Sequence, residues 1–338
     1  MPRTLVISDF HLGGRLRHGV LTRSAPLARL LEAVRQTDRL VLLGDIVELI
    51  EGRSRAAMEV AGPVLKAIGA ALGPEREVVV VPGNHDGPLV RPWIRRTAPA
   101  LGNQTAVPLD ATPALARVTA ELAPARVRVS YPGLWLTERV WATHGHYLDQ
   151  HLMPESAVGI ARGSLRRLPL DEVTPMDYEL GRRISLSRAT GWVPRPIAAL
   201  LDDIAEVIRA STMPRVRRRI LTERHAPLIS AVLRAQMNRA SMPALARVVH
   251  RLGVQADFVV FGHVHRLGPL AADDPQKWQG PEGSPRILNT GSWLYEPLLL
   301  HRAQPPNPYW PGGAVLLESG QDPRAIGLLD ELTAADLR

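Results

Sequence analysis

The apolar positions fall into short, uniformly apolar runs separated by longer stretches of helical period. Thr4 to Ser8, Leu40 to Leu43, Val78 to Val81, Val140 to Thr143 and Phe258 to Phe261 are runs of four or five residues dominated by Val, Leu, Ile and Phe. Runs of that length without polar alternation predict strands covered on both faces. Leu27, Leu30, Leu31 and Val34 share one helical face, with Ser24 as the expected cap and Pro26 in the first turn. A second helix is predicted from about Arg55 to Leu72, and a third near Ala114 to Leu122. Strand, helix, strand, helix, strand predicts parallel pairing through right-handed crossovers. Val127, Val129 and Tyr131 alternate and Pro132-Gly133 turns the chain, so these residues, Leu134 to Leu136 and Val140 to Thr143 are expected in a second sheet. Ile287 to Asn289, running into Thr290-Gly291-Ser292-Trp293, predicts another strand and tight turn. Ala314 to Glu318 and Ile326 to Leu329 are expected to complete the second sheet as a hairpin.

Residues 150 to 250 have another character. They contain no strand pattern but three helical stripes: Ile197, Leu200, Leu201, Ile204 and Ile208; Leu228, Ile229, Val232 and Leu233; and Leu245, Val248, Val249 and Leu252. The predicted organisation is an α/β core over 1–149, a basic helical insertion or cap over 150–255, and a core that resumes over 256–338.

Composition narrows the chemistry. With 338 residues, 45% apolar and 22% charged, the chain has the profile of a soluble globular protein. No window reaches the roughly 18 apolar residues of a membrane span, and the first residues show no signal-peptide pattern. A cytoplasmic location is therefore expected. Cysteine is absent, which excludes disulfides and thiolate metal sites, so a metal would need His, Asp, Glu and Asn. The net charge of +8 is local: residues 151–251 hold 17 arginines against 9 acidic residues, and elsewhere 24 cations match 24 acids. Nearly all cations are arginine, a side chain that grips phosphate with two parallel hydrogen bonds; lysine occurs only at Lys66 and Lys277. The run Arg215, Arg217, Arg218 and Arg219 reads first as a solvated helix face, with substrate or membrane contact as the alternative.

The strand ends carry the candidate chemistry. Asp9 and His11, Asp45, Asn84 with His85 and Asp86, His144, and His263 with His265 each follow an apolar run. In open α/β sheets ligand sites form just beyond the carboxyl ends of strands, so these residues are expected to converge. Imidazole, carboxylate and amide donors without sulfur suit Mn, Fe, Zn or Ni. One carboxylate between two such sets can bridge two ions, and a pair roughly 3.5 to 4 Å apart can activate water and clamp phosphoryl oxygens. The histidines at 18, 225, 250 and 301 read as surface or hydrogen-bonded residues.

These segments resemble the five motifs of the calcineurin-like metallophosphoesterases: Asp9-Phe10-His11, GDIVE at 44–48, GNHD at 83–86, HGH at 144–146 and GHVH at 262–265. The resemblance covers about 1–146 and 256–330 and leaves the insertion unmatched. It implies an αββα sandwich of two mixed sheets flanked by helices, two divalent ions with Mn2+ foremost, and a bridging hydroxide as nucleophile. It further implies that Asp9, His11 and His265 hold one ion, that Asp45 bridges, and that Asn84, His144 and His263 hold the other. His85 would be the unligated histidine that protonates the leaving group, with Glu48 or Asp86 orienting it. His146 is expected to support the second ion's ligands. Leu49-Ile50 stand where the family's protein phosphatases have Arg-Gly, which points away from phosphoprotein substrates.

GDIVE, HGH and the insertion are reminiscent of the UDP-2,3-diacylglucosamine pyrophosphatase branch, although His85 replaces the arginine usual there. The leading expectation is a hydrolase of a small-molecule or lipid-linked phosphoester or pyrophosphate. The basic insertion is a candidate for peripheral contact with the inner face of the membrane. A DNA or RNA phosphodiesterase ranks lower, because no groove-reading motif is present and aromatics are only 4% of residues. A non-enzymatic scaffold binding a partner through the arginine-rich segment is the third reading.

Overall fold

The computed structural model describes residues 2–14, 18–51, 53–97, 100–151, 173–180, 241–297, 299–300 and 303–338. Its centre is two sheets packed face to face. The larger contains seven strands in the order β11-β10-β1-β2-β3-β5-β4 and the smaller four in the order β6-β7-β8-β9. In the first, β1 (Thr4–Ile7), β2 (Arg39–Leu42), β3 (Glu77–Val80) and β5 (Arg126–Tyr131) are parallel. The short β4 (Thr105–Ala106) closes one edge, and β10 (Gly313–Leu317) with β11 (Arg324–Gly327) closes the other. In the second, β6 (Gly133–Trp135) is antiparallel to β7 (Val140–Thr143), which runs parallel to β8 (Phe258–Phe261) and β9 (Arg286–Asn289).

Period-two geometry explains why the strands are apolar on both faces. Val6, Val41, Val79, Val315 and Leu317 point inward and meet Leu134, Val140, Ala142, Phe258, Val260 and Leu288 in the layer between the sheets. Their neighbours Leu5, Ile7, Leu40, Leu42, Val78 and Val80 point outward. These meet Leu30 and Val34 of α1 (Ser24–Arg35), Ala61, Leu65 and Ile68 of α2 (Ser54–Leu72), and Leu115 of α4 (Pro113–Glu121). The short α3 (Arg91–Thr97) precedes α4. On the outer face of the smaller sheet, Trp141, Val259, Phe261 and Ile287 pack on Leu245, Val248 and Val249 of the helix over 241–251 and on Leu252 just after it. Helix, sheet, sheet and helix layers together form the αββα sandwich expected from the motifs.

Three local expectations are corrected. The strand Val127–Tyr131 joins the larger sheet beside β3, because α3 and α4 carry the chain back to start a parallel neighbour; the chain changes sheets only at Pro132-Gly133. The carboxyl-terminal hairpin also belongs to the larger sheet. β10 pairs antiparallel with β1 and covers what would be an open edge, and its sequence GAVLL suits a place buried on both faces. Ser24 is the first residue of α1, not its cap: Arg23 takes the cap position and no side chain bonds the free amides. Of the insertion, 150–151, 173–180 and 241–255 are described. Within 173–180, Pro175–Leu180 is helical and is named α5. The stripes around Ile197 to Ile208 and Leu228 to Leu233, and Arg215 to Arg219, lie outside the described residues, as do His225 and His301.

Candidate metal centre

Asp9, His11, Asp45, Glu48, Asn84, His85, Asp86, His144, His263 and His265 lie at one end of the sandwich, at the carboxyl ends of β1, β2, β3, β7 and β8. In the larger sheet Ile7, Leu42 and Val80 are in register, so the turns carrying Asp9, Asp45 and Asn84 leave from one level. Thr143 and Phe261 are likewise paired, which places His144 and His263 side by side. These turns have unusual backbones. Of the six non-glycine residues with positive φ among the described residues, five are Asp9, His11, Asp45, His263 and His265, with φ between 44° and 68°. Such conformations cost of order 1–3 kcal/mol each and persist at functional sites that over-determine them. Two glycines permit the convergence: Gly44 (φ 85°) and Gly83 lie so close to the His144 ring that a Cβ on either would collide with it.

Two donor groups meet at Asp45. In the first, His265 Nε2 lies 3.2 Å from Asp9 Oδ1 and 3.3 Å from His11 Nε2, while His11 Nε2 lies 3.8 Å from Asp9 Oδ1. In the second, His144 Nε2 lies 3.2 Å from Asp45 Oδ2 and 3.1 Å from Asn84 Oδ1, and His263 completes the group. Asp45 Oδ2 is also 3.7 Å from His11 Nε2, so one oxygen adjoins both groups. Its other oxygen accepts from the His85 backbone N–H at 2.8 Å.

The donor atoms fit cations. Asp9 Oδ1 is buried without a hydrogen-bond partner, whereas Oδ2 accepts from the Ser8 hydroxyl and from the His263 backbone N–H at 3.0 Å. Buried carboxylate oxygens are not normally left unsatisfied. Two imidazole nitrogens facing each other at 3.3 Å, as in His11 and His265, are reconciled when both lone pairs point at one ion. His144 Nδ1 donates to the Leu43 carbonyl at 2.9 Å, which leaves the Nε2 lone pair facing Asp45 and Asn84. The set contains nitrogen and oxygen only, suited to a divalent first-row metal.

Electrostatics within the cage is strong. Burial opposes ionisation of Asp9, but the His265 charge and the proximity of the His11 and His265 rings outweigh it and hold the carboxyl well below the usual range. Asp45 is likewise lowered, burial being outweighed by His144 and His11. Burial works against protonated His11 and His144, yet neighbouring carboxylates push them up to about 10 and about 9. A ligand histidine must be neutral, so cations and protons compete for these nitrogens.

His85 sits beside the first group, its ring edge-on to His11 at 4.6 Å. Its Nδ1 is 2.6 Å from Glu48 Oε2, which also lies 3.2 Å from His11 Nδ1. Glu48 Oε1 accepts from the Ile50 and Glu51 backbone N–H groups at 3.0 and 3.1 Å. Burial resists charge on Glu48, but the two histidines bring its pKa down to about 2. Burial lowers and the Glu48 bond raises the pKa of His85, with a net rise. Asp86 does not touch His85: its carboxylate accepts from the backbone N–H of Ile46 at 2.9 Å and of Gly83 at 2.5 Å and braces the turn.

Several neighbours carried no motif signal. Ser8 and Thr290 hydroxyls, 2.6 Å apart, back Asp9. Glu296 bonds His18 at 3.1 Å, and burial is outweighed by His18, His265 and His11 in lowering its pKa. Glu179 of α5 reaches Tyr147 Oη at 2.9 Å, Tyr131 Oη, and His146 Nε2 at 3.9 Å. His146 lies behind the cage with its ring 5.6 Å from that of His144. His146 belongs to the HGH motif; of the others, only Ser8, by its proximity to Asp9, and Thr290, by its place in a predicted tight turn, could have been flagged.

A family model for calcineurin-like phosphoesterases matches residues 2–267, and that span includes every residue of the cage. No curated protein matches the chain. Among the described residues no helix is long and apolar enough to cross a membrane.

Proposed function

The chain belongs to the calcineurin-like phosphoesterases, hydrolases that act on phosphoesters with divalent metals, and from that premise we propose a dinuclear centre whose substrate is a small-molecule or lipid-linked phosphoester or pyrophosphate. The observation that carries the two-ion reading is Asp45 Oδ2, which adjoins both donor groups at once. Asp9, His11 and His265 would hold one ion and Asn84, His144 and His263 the other, with Mn2+ foremost among the metals suited to these donors. Such a pair supplies an activated water and positive charge against the phosphoryl oxygens.

The chain's own groups do the rest. Glu48 holds the Nδ1–H of His85, so Nε2 is the atom free to donate to a leaving-group oxygen. The negative charge of Glu48 keeps the imidazolium available near neutral pH, while bound cations would act in the opposite sense. Gly83 and Gly44 let the His144 ring close on Asp45. The substrate class rests on the GDIVE and HGH motifs and on the arginine-rich insertion, whose guanidiniums suit pyrophosphate.

The test is purified protein with Mn2+ assayed against p-nitrophenyl phosphate, bis-p-nitrophenyl phosphate and a nucleotide-sugar lipid. Turnover of the pyrophosphate lipid above both nitrophenyl esters is expected. Cleavage of DNA or RNA with a steep salt dependence, and silence on the other three, would transfer the assignment to nucleic acid. Silence on all would remove the catalytic reading of the site.

A further inference from the structure

We propose that Asp149 is a positioning residue for the second donor group: its carboxylate fixes the tautomer and the orientation of His263, and through its turn links that setting to α5. The inference rests on the two-ion reading above.

Asp149 Oδ1 lies 2.9 Å from His263 Nε2. An ionised carboxylate can only accept, so the proton of the ring sits on Nε2. A neutral imidazole then carries its lone pair on Nδ1, which becomes the atom available to an ion shared with Asp45 and His144. The rest of the residue is already constrained. Its backbone has φ 68°, its N–H donates to Asp9 Oδ2 at 3.0 Å, and its ring stands edge-on to His144 at 5.3 Å. Rotation about the side-chain bonds and the choice of tautomer remain, and the Asp149 contact decides both. A ligating histidine whose second nitrogen donates to a carboxylate is a general way of fixing such rings.

The bland alternative is an exposed ion pair of negligible consequence, and the Asp149 side chain is indeed 57% exposed. Two observations argue for more. The partner is one of the donor histidines, only 14% exposed. The turn that carries Asp149, His146–His151, is also pinned on both sides of it. Tyr147 stacks on Tyr178 with centroids 4.7 Å apart and planes at 6°, and its hydroxyl donates to Glu179 at 2.9 Å. Gln150 Nε2 donates to the Tyr178 carbonyl at 2.7 Å, and His151 Nε2 lies 2.9 Å from the Tyr178 hydroxyl. An acid held on so anchored a turn returns the His263 ring to one place, and a displacement of α5 would carry it away.

The experiment titrates Mn2+ into the chelator-stripped full chain and compares wild type with Asp149→Asn and Asp149→Ala. Stoichiometry and affinity are read by calorimetry, and melting temperature is read without metal. Wild type is expected to bind two ions. Asp149→Ala should keep one site at wild-type affinity and weaken the other about 10- to 100-fold. Asp149→Asn, which keeps an acceptor oxygen, should fall between, and the metal-free melting temperatures should coincide. Wild-type affinity at both sites in Asp149→Ala would overturn the proposal. So would equal weakening of both sites with a lower metal-free melting temperature, which would mark a structural role. A wild-type chain that binds fewer than two ions would instead refute the two-ion reading, and the role of Asp149 with it.

Discussion

Replacing Glu48 with Gln isolates the histidine expected to act as the acid. The carboxylate accepts from two backbone amides through Oε1 and faces the Nδ1 atoms of His85 and His11 through Oε2. A glutamine has one acceptor oxygen. With that oxygen on the Ile50 and Glu51 amides, its NH2 faces both imidazoles and can no longer accept from them. A charge-assisted hydrogen bond is worth about 1.5–3 kcal/mol, and losing it removes the contact that favours the protonated ring, so the His85 pKa should drop. The sign follows directly. His85 donates as the protonated ring, activity is lost as pH rises through its pKa, and the alkaline limb of the kcat/KM profile should move to lower pH.

The rate should depend on what leaves. General acids contribute about 10²–10⁴-fold, most where the leaving oxygen is basic. Glu48→Gln should therefore cost about 10²-fold on an alkyl phosphoester and less than about tenfold on a p-nitrophenyl ester. Because Glu48 also touches His11, bound metal must be counted in the same preparations. Two retained ions, an unmoved alkaline limb and equal losses on both esters would refute the assignment of His85 and Glu48.

Other outcomes follow from the same geometry. His85→Ala should keep both ions and lose turnover, whereas Asp45→Asn should weaken both sites, each measured by metal analysis beside kcat. Asp86→Ala leaves the buried Ile46 and Gly83 amides unpaired, at about 1–3 kcal/mol each, so thermal melting should drop while the alkaline limb stays in place. Gly83→Ala drives a methyl into Asp45 and His144, and calorimetry should show weaker binding at the second site. In the metal-free chain His11 and His144 hold protons up to about pH 10 and 9, so metal binding at pH 7 should release about two protons per chain, seen as a buffer-dependent binding enthalpy. The sign for stability is the reverse of a lowered acid: the contribution of these two histidines is complete below their ordinary pKa near 6.5 and fades as pH rises through about 9 to 10. Melting of the metal-free protein across that range checks it.

Much of the site was legible because its parts are local. A doubly apolar strand such as Val78–Val81 announces its own end, and the residues in the next turn inherit a position at the sheet edge. Sheet membership was not legible. Val127–Tyr131 and Ala314–Leu317 read as strands, but nothing within such a run says which sheet receives it; the crossover helices and the open edge of β1 decide. The choice between Glu48 and Asp86 was closed to sequence for a similar reason. Both acids lie within a motif, and only the fold shows that one faces imidazoles and the other two amides. Asp149 reaches the cage, and Glu179 and Glu296 reach residues beside it, from outside every motif, so no spacing could have revealed them. The strained turns at Asp9, His11, Asp45, His263 and His265 are likewise a tertiary property, imposed where five strand ends are drawn together.

The central claim is that one oxygen of Asp45 serves two cations. Electron paramagnetic resonance of the chelator-stripped protein reloaded with Mn2+ measures this directly, because ions that share a ligand are magnetically coupled and isolated ions are not. Two Mn2+ per chain with a coupled spectrum, reduced to uncoupled ions or metal loss in Asp45→Asn, is the predicted result. Two uncoupled ions in the wild-type chain, or saturation at one, would contradict it.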